Sequence, residues 1–160
     1  MISRRGLIKG MLALGGSLIP RFVFPSTGTG PWRNWSGHLV AHPASRFAPV
    51  SEDELVDWMK SSTGTLRPVG AGHSFTPLVP TDGHLVILDR LSGIASHDAG
   101  SLSAEVYAGS RLSDLGQPLD DKGQAMPNLP DIDRQTVAGA VATSTHGTGR
   151  ELQSLSGYIR

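Results

Sequence analysis

The stretch RPVGAGHSF, residues 67–75, decides the fold of this chain. A short strand is predicted to run into a glycine loop at residues 70–72 and to deliver a histidine at the mouth of that strand. Glycine accepts positive φ and has no side chain, so successive backbone N–H groups can converge there on an anion. The stretch therefore predicts a phosphate-binding loop, with His73 needing its own explanation.

Three common motifs fail at this loop. The dinucleotide fingerprint G-x-G-x-x-G needs a glycine where Phe75 stands, so a Rossmann assignment is excluded. The G-x-S-x-G turn of hydrolases lacks its last glycine at Thr76, which makes Ser74 a poor nucleophile. No Gly-Lys-Ser or Gly-Lys-Thr ending follows, as a P-loop would require.

The six histidines are unlike one another in context. His73 lies at the edge of a rigid loop, where a neutral imidazole can act as a nucleophile near pH 7, although it could equally cap the loop or bind a phosphate. His38 and His42 are four residues apart, but Pro43 spoils a helical metal pair, so a surface or turn role is expected. His84 and His97 are expected in loops, with no partner visible in the sequence, and receive no role.

One helix is well signalled. Ser51 is an N-cap with Glu54 three residues on, and Gly64 stands where a C-terminal stop belongs. The apolar face is predicted to comprise Leu55, Val56 and Met59.

Other elements follow from shorter patterns. Strands are predicted at residues 65–70, 84–89 and 102–109. Leucines at helical spacing predict a helix over 110–123 that Pro118 kinks or stops early. Thr136 is predicted to cap a helix of small side chains that can lie very close to a neighbouring surface.

The bulk composition fits one globular domain of mixed strand and helix: 160 residues, 38% hydrophobic, and rich in glycine and proline. The formal charge is zero, but residues 1–28 carry four basic residues and no acid, leaving ten basic against fourteen acidic residues in the body. An acidic body without a basic stripe argues against nucleic acid. The chain has no cysteine, which excludes disulfides and thiolate chemistry.

Residues 1–28 are predicted to be a targeting segment. Ser3 to Lys9, SRRGLIK, resembles the twin-arginine export signal, with Leu7 in place of phenylalanine. The apolar run of about ten residues is shorter than the roughly 20 that span a bilayer. Export by the twin-arginine machinery to the periplasm or cell exterior is expected. An uncleaved membrane anchor, or a basic N-terminus on a buried helix, are the alternatives.

Four motifs in this order carry a family resemblance: WRNWSG (32–37), RPVGAGHSF (67–75), NLPDIDRQTVAGA (128–140) and TSTHGTG (143–149). Together they resemble the aldonolactone oxidase and alditol oxidase branch of the vanillyl-alcohol-oxidase-type flavoproteins. The resemblance runs from about Trp32 to the end of the chain. Pro118 and Asp131 depart from the usual family pattern, which has a proline-free helix at the first and a small or hydroxyl residue at the second.

The resemblance implies an FAD-binding α+β domain over residues 29–160, of two subdomains with the second incomplete. The N–H groups of residues 70–74 would hold the pyrophosphate, and His73 matches the position that bonds covalently to the 8α carbon of the flavin. Small residues at 138–142 would pack against the flavin, and 143–149 would supply hydrogen bonds. The implied cofactor-binding residues are Pro68, Val69, Gly70, Ala71, Gly72, His73, Ser74, Phe75, Asp131, Thr136, Gly139, Thr143, Ser144, Thr145, His146 and Gly147.

The implied function is oxidation of a CH–OH group in a polyol or sugar-1,4-lactone, with oxygen or another acceptor reoxidising the flavin. Family members continue into a substrate domain, so the general base is expected outside this chain and the fragment alone is expected to be inactive. No catalytic residue and no metal ligand is assigned within it. The alternatives are a non-catalytic flavin-binding remnant and, less favoured, a hydrolase using Ser74.

Overall fold

The computed structural model describes residues 30–160, so the predicted export segment at 1–28 lies outside the described residues. A three-stranded parallel sheet forms the first half, from β3 (Ser45–Phe47), β4 (Leu66–Val69) and β5 (His84–Ile87) in the order β3-β5-β4. Ahead of it, β1 (Trp32–Arg33) and β2 (Val40–Ala41) form a small antiparallel hairpin. The strands predicted at 65–70 and 84–89 are confirmed, over the shorter ranges 66–69 and 84–87.

Helix α1 (Glu52–Ser61) connects β3 to β4 and covers the sheet. Phe47, Trp58 and Val86 form the core between them, and the Phe47 and Trp58 rings stack with centroids 4.5 Å apart. The predicted apolar face was wrong: Val56 and Met59 are exposed, and Leu55 packs inward with Trp58. The Trp58 indole, three residues after Leu55, has a larger apolar surface than Val56 or Met59. The side of the helix that carries Leu55 and Trp58 is therefore the buried one.

The predicted N-terminus of α1 is confirmed. Ser51 Oγ accepts from the Glu54 N–H at 3.2 Å, and the Glu54 carboxylate reaches back to the Val50 N–H at 2.6 Å. We expect Ser51→Ala to lower the free energy of unfolding by about 1 kcal/mol, because it leaves the first turn without that acceptor. Ser51→Asp is the matched control and should lose little, as measured by urea denaturation of the full chain. Equal losses in the two variants would contradict the capping role.

The second half begins with the antiparallel hairpin β6 (Ile94–Asp98) and β7 (Ser103–Val106). The Ser101 hydroxyl and the Gly100 N–H bind the Asp98 carboxylate at this turn and hold its pKa below the usual value. The buried Gln124 amide donates to the Asp98 and Ser103 carbonyls and ties the hairpin to the helical segment that follows.

That helical segment is broken, as the sequence predicted. A 3-10 turn (Leu112–Asp114) is followed by α2 (Gly116–Asp120), in which Pro118 occupies the first turn, where its missing N–H costs nothing. Helix α3 (Val137–Ala142) and a 3-10 turn (Leu155–Tyr158) pack on Leu112 to form the second core. No helix within residues 30–160 has the length and apolar character needed to cross a membrane.

Candidate functional site

The loop at residues 70–75 leaves the carboxyl end of β4, the edge at which parallel sheets commonly bind ligands. Gly72 has φ +71°, as the glycine pattern predicted. Within the described part of the chain, the backbone N–H groups of residues 72–75 donate to no hydrogen-bond acceptor. This run of N–H groups fits the requirement of a phosphate cradle.

His73 has two unoccupied ring nitrogens. Neither makes a hydrogen bond to any residue between 30 and 160, and the side chain is half-buried. His84 contrasts with it, since Nδ1 bonds Ser45 Oγ at 2.7 Å and Nε2 bonds the Thr63 carbonyl at 3.0 Å. The expectation of a loop position for His84 was wrong, because it stands in β5 and holds β3 and the end of α1. Of these two histidines, only His73 has ring nitrogens that are free, within residues 30–160, to bind an added ligand.

The structure brings the first loop against the start of α3. A Cβ added at Gly70 would collide with Thr136 Oγ1, so only a residue without a side chain permits this approach. Thr136 is buried and caps α3, accepting from the Gly139 N–H at 3.2 Å, which confirms the predicted cap. Two motifs 66 positions apart therefore meet at one point.

Residues 143–149, which were predicted to bind the flavin, form a separate cluster that is held by hydrogen bonds to residues 135 and 139. Thr143 Oγ1 donates to the Gly139 carbonyl at 2.9 Å, and Thr145 Oγ1 donates to Gln135 Oε1 at 2.7 Å. Gly147 packs closely against Asn128 and the backbone of Leu129. No hydrogen bond of the described residues joins this cluster to residues 70–75.

The other predicted site residues lie around these two groups. Ser74 Oγ accepts from the Thr76 N–H at 3.2 Å in a local turn, a structural use that leaves it poorly suited to act as a nucleophile. Asp131 and Phe75 are exposed, and the exposed His146 turns Nδ1 onto the neighbouring Gly147 carbonyl at 2.8 Å. Among residues 30–160, no group of three or more histidine or acidic side chains is placed to hold a metal ion.

The segment 108–110 was predicted to be the end of a strand and the start of a helix, but the strand ends at Val106 and the segment links the two halves. The Ala138 N–H donates to the Ala108 carbonyl, the Val137 N–H to the Ser110 carbonyl, and the Gly93 N–H to Ser110 Oγ. The small side chains of residues 108–110 are the sequence feature that could have indicated this close contact. The position of α3 relative to the sheet depends on it.

An open cavity of about 890 Å³ lies beside α3. Its walls are largely apolar and include Leu115, Met126, Val141 and Tyr158, with none of residues 67–75 among them. This cavity is distinct from the histidine loop.

A solved structure has a similar fold. Cholesterol oxidase from B. sterolicum superposes with a TM-score of 0.64 at 22% identity, over 78% of this chain and 27% of that chain. This likeness shows the same mixed helix and strand fold as an FAD-binding domain and confirms the predicted α+β class.

The family model described as "FAD binding domain" matches residues 43–159, and the chain belongs to that family. Two relatives are L-gulono-1,4-lactone dehydrogenase from Mycobacterium tuberculosis, 37% identical over 80% of this chain and 31% of the relative, and D-arabinono-1,4-lactone oxidase from Eremothecium gossypii, 37% identical over 73% and 23%. The predicted resemblance to the aldonolactone branch is confirmed. The chain spans less than a third of the length of either relative.

Proposed function

We propose that this chain is the FAD-binding part of an oxidoreductase that oxidises a CH–OH group of a sugar-1,4-lactone or alditol. The observation that carries the proposal is the loop 70–75, which offers unpaired N–H groups and an unoccupied histidine within one short turn. The family match supports FAD as the cofactor, and the names of the relatives support a lactone as the substrate.

The residues would divide the work of binding FAD. The N–H groups of residues 72–75 would bind the pyrophosphate, which fits their lack of an acceptor among residues 30–160. Thr136 holds the start of α3 against Gly70, so that the small side chains of α3 stay near the loop. When bound, the flavin supplies hydride acceptance from the carbon that bears the hydroxyl, with oxygen or another acceptor reoxidising it.

His73 anchors the cofactor covalently in this proposal. One ring nitrogen would bond to the 8α carbon of the flavin, with loss of the imidazole N–H and of one methyl C–H, and dioxygen would accept the two hydrogens and two electrons as hydrogen peroxide. The protein contributes the position of the ring, since neither nitrogen must first give up a hydrogen bond within the described residues.

Covalent attachment has a direct test. The full chain is produced with FAD, denatured, and examined for flavin fluorescence in the protein band. We expect fluorescence in the native sequence and its loss in His73→Ala. His42→Ala is the matched control, because His42 is also a histidine without a hydrogen-bond partner among residues 30–160, and it should label normally.

A dark native band leads to a second measurement, the absorbance of flavin released from the native protein. Released flavin would overturn the covalent bond and keep FAD binding, whereas no flavin at all would overturn both. Turnover of a lactone or polyol, measured on a longer product that includes the substrate domain, distinguishes the oxidoreductase from the alternative of a non-catalytic flavin-binding remnant, which gives the same labelling.

The proposal includes export through the twin-arginine pathway and a periplasmic or extracellular location. Its support is the pattern from Ser3 to Lys9. Covalent loading before transport would agree with a pathway that carries folded proteins.

A further inference from the structure

One backbone group and one side chain of the N-terminal hairpin, residues 32–41, bind the residues on either side of His73. The Trp35 N–H donates to the Gly72 carbonyl at 2.8 Å, and Asn34 Nδ2 donates to the Ser74 carbonyl at 3.3 Å. The residues immediately before and after His73 are thus both tied to the same hairpin. The backbone of His73 is fixed from outside its own loop.

The buried Asn34 side chain makes one of these two contacts and is itself held in place. Its side chain lies in a residue only 4% exposed, and Oδ1 accepts from the Leu39 N–H at 2.9 Å while the amide nitrogen reaches Ser36 and Ser74. A buried amide with its donor and acceptor both satisfied has little freedom to turn. The distance between the hairpin and the loop is therefore set by the fold.

The Trp35 side chain contacts the His73 imidazole directly. Its indole stacks on the His73 imidazole with centroids 5.2 Å apart and planes at 22°, although Trp35 is 65% exposed. An indole left this far in solvent gains little from burial, so its structural contribution is small compared with that of the buried Trp58. The stack does restrict the orientation of the imidazole, which has no hydrogen bond of its own within residues 30–160.

We propose that Trp35 and Asn34 are positioning residues that orient His73 for its bond to the flavin. The inference rests on the proposed function. Reactions between held groups are sensitive to placement, and a shift of about 1 Å can cost on the order of a hundredfold in rate. A ring that is free to rotate about its side-chain bonds loses this advantage even when the cofactor is bound.

The test compares Trp35→Ala, Trp35→Phe and the control Val40→Ala, which changes an exposed residue of the same hairpin. The rate of covalent labelling and the non-covalent affinity for FAD are both measured in the full chain. We expect labelling to slow by about tenfold or more in Trp35→Ala, with affinity unchanged, and to recover largely in Trp35→Phe because a stacking ring returns. Val40→Ala should match the native chain.

A second readout does not depend on flavin. In the FAD-free chain with labelled histidine, the ring protons of His73 should be shifted upfield by the indole and should move toward the free-histidine position in Trp35→Ala. An unchanged signal, or an unchanged labelling rate in Trp35→Ala, overturns the positioning role. A native chain that never labels, but keeps the upfield signal, overturns the proposed attachment instead and leaves the stack as a structural contact.

Discussion

Gly109→Ala is expected to destabilise the fold by about 3 kcal/mol, because the new Cβ would meet backbone that cannot move aside. That atom would collide with the Leu88 carbonyl and lie 2.8 Å from the Leu91 oxygen. The Gly109 N–H also donates to that Leu91 carbonyl at 3.1 Å, so the two segments cannot separate without losing a hydrogen bond. Urea denaturation of the full chain measures the loss.

Gly116→Ala is the matched control for this substitution. Among residues 30–160, no atom outside the adjoining backbone lies within 4 Å of a Cβ at that position, which begins α2, so stability should stay the same or rise slightly. If both alanine variants unfold at the same urea concentration as the native chain, the close crossing at Gly109 is not present in solution.

The close approach at Gly109 also affects the candidate site, because the residues on either side of it bind α3. The neighbouring carbonyls of Ala108 and Ser110 accept from the first N–H groups of α3. Pushing residue 109 away from Leu88 therefore shifts α3 relative to the sheet that carries the histidine loop. We infer that the site is assembled by backbone contacts between the two halves as much as by side chains.

Local signals in the sequence predicted local structure. The cap at Ser51, the break near Pro118 and the cap at Thr136 are each decided by a few neighbouring residues, and all three are confirmed. Strand β6 was missed because Ile94–Asp98 is mostly polar and exposed, so that no apolar alternation marks it. Its formation depends on pairing with β7 and on the Asp98 turn.

The candidate site could be predicted only as two separate motifs. Their contact joins Gly70 to Thr136, and the hold on His73 comes from Trp35, 38 positions away. Spacing along the chain does not reveal such pairings, since they depend on where the sheet and the second core place their loops. The resemblance placed the motifs in one family, while the structure shows which atoms meet.

The contact between Gly70 and Thr136 predicts a strong non-additivity. Gly70→Ala alone should cost about 2 kcal/mol, because its Cβ would collide with Thr136 Oγ1 and that hydroxyl is committed to the cap of α3. Thr136→Ala alone should cost about 1 kcal/mol through loss of the cap. In the double variant the obstructing oxygen is gone, and the nearest remaining Thr136 atom, Cβ at 3.4 Å, is at ordinary contact distance.

We therefore expect the double variant to lose roughly 1–2 kcal/mol less than the sum of the two single losses, a coupling within the range found for residues in contact. Pairing Thr136→Ala with Gly116→Ala supplies the control cycle, which should be additive because no atom approaches a Cβ at residue 116. Additive losses in the Gly70 cycle would show that the first loop and α3 do not touch in solution. A restored double variant would instead establish that loop 70–75 and the start of α3 are in direct contact, since the hydroxyl that caps the helix is the same atom that excludes a side chain from the loop.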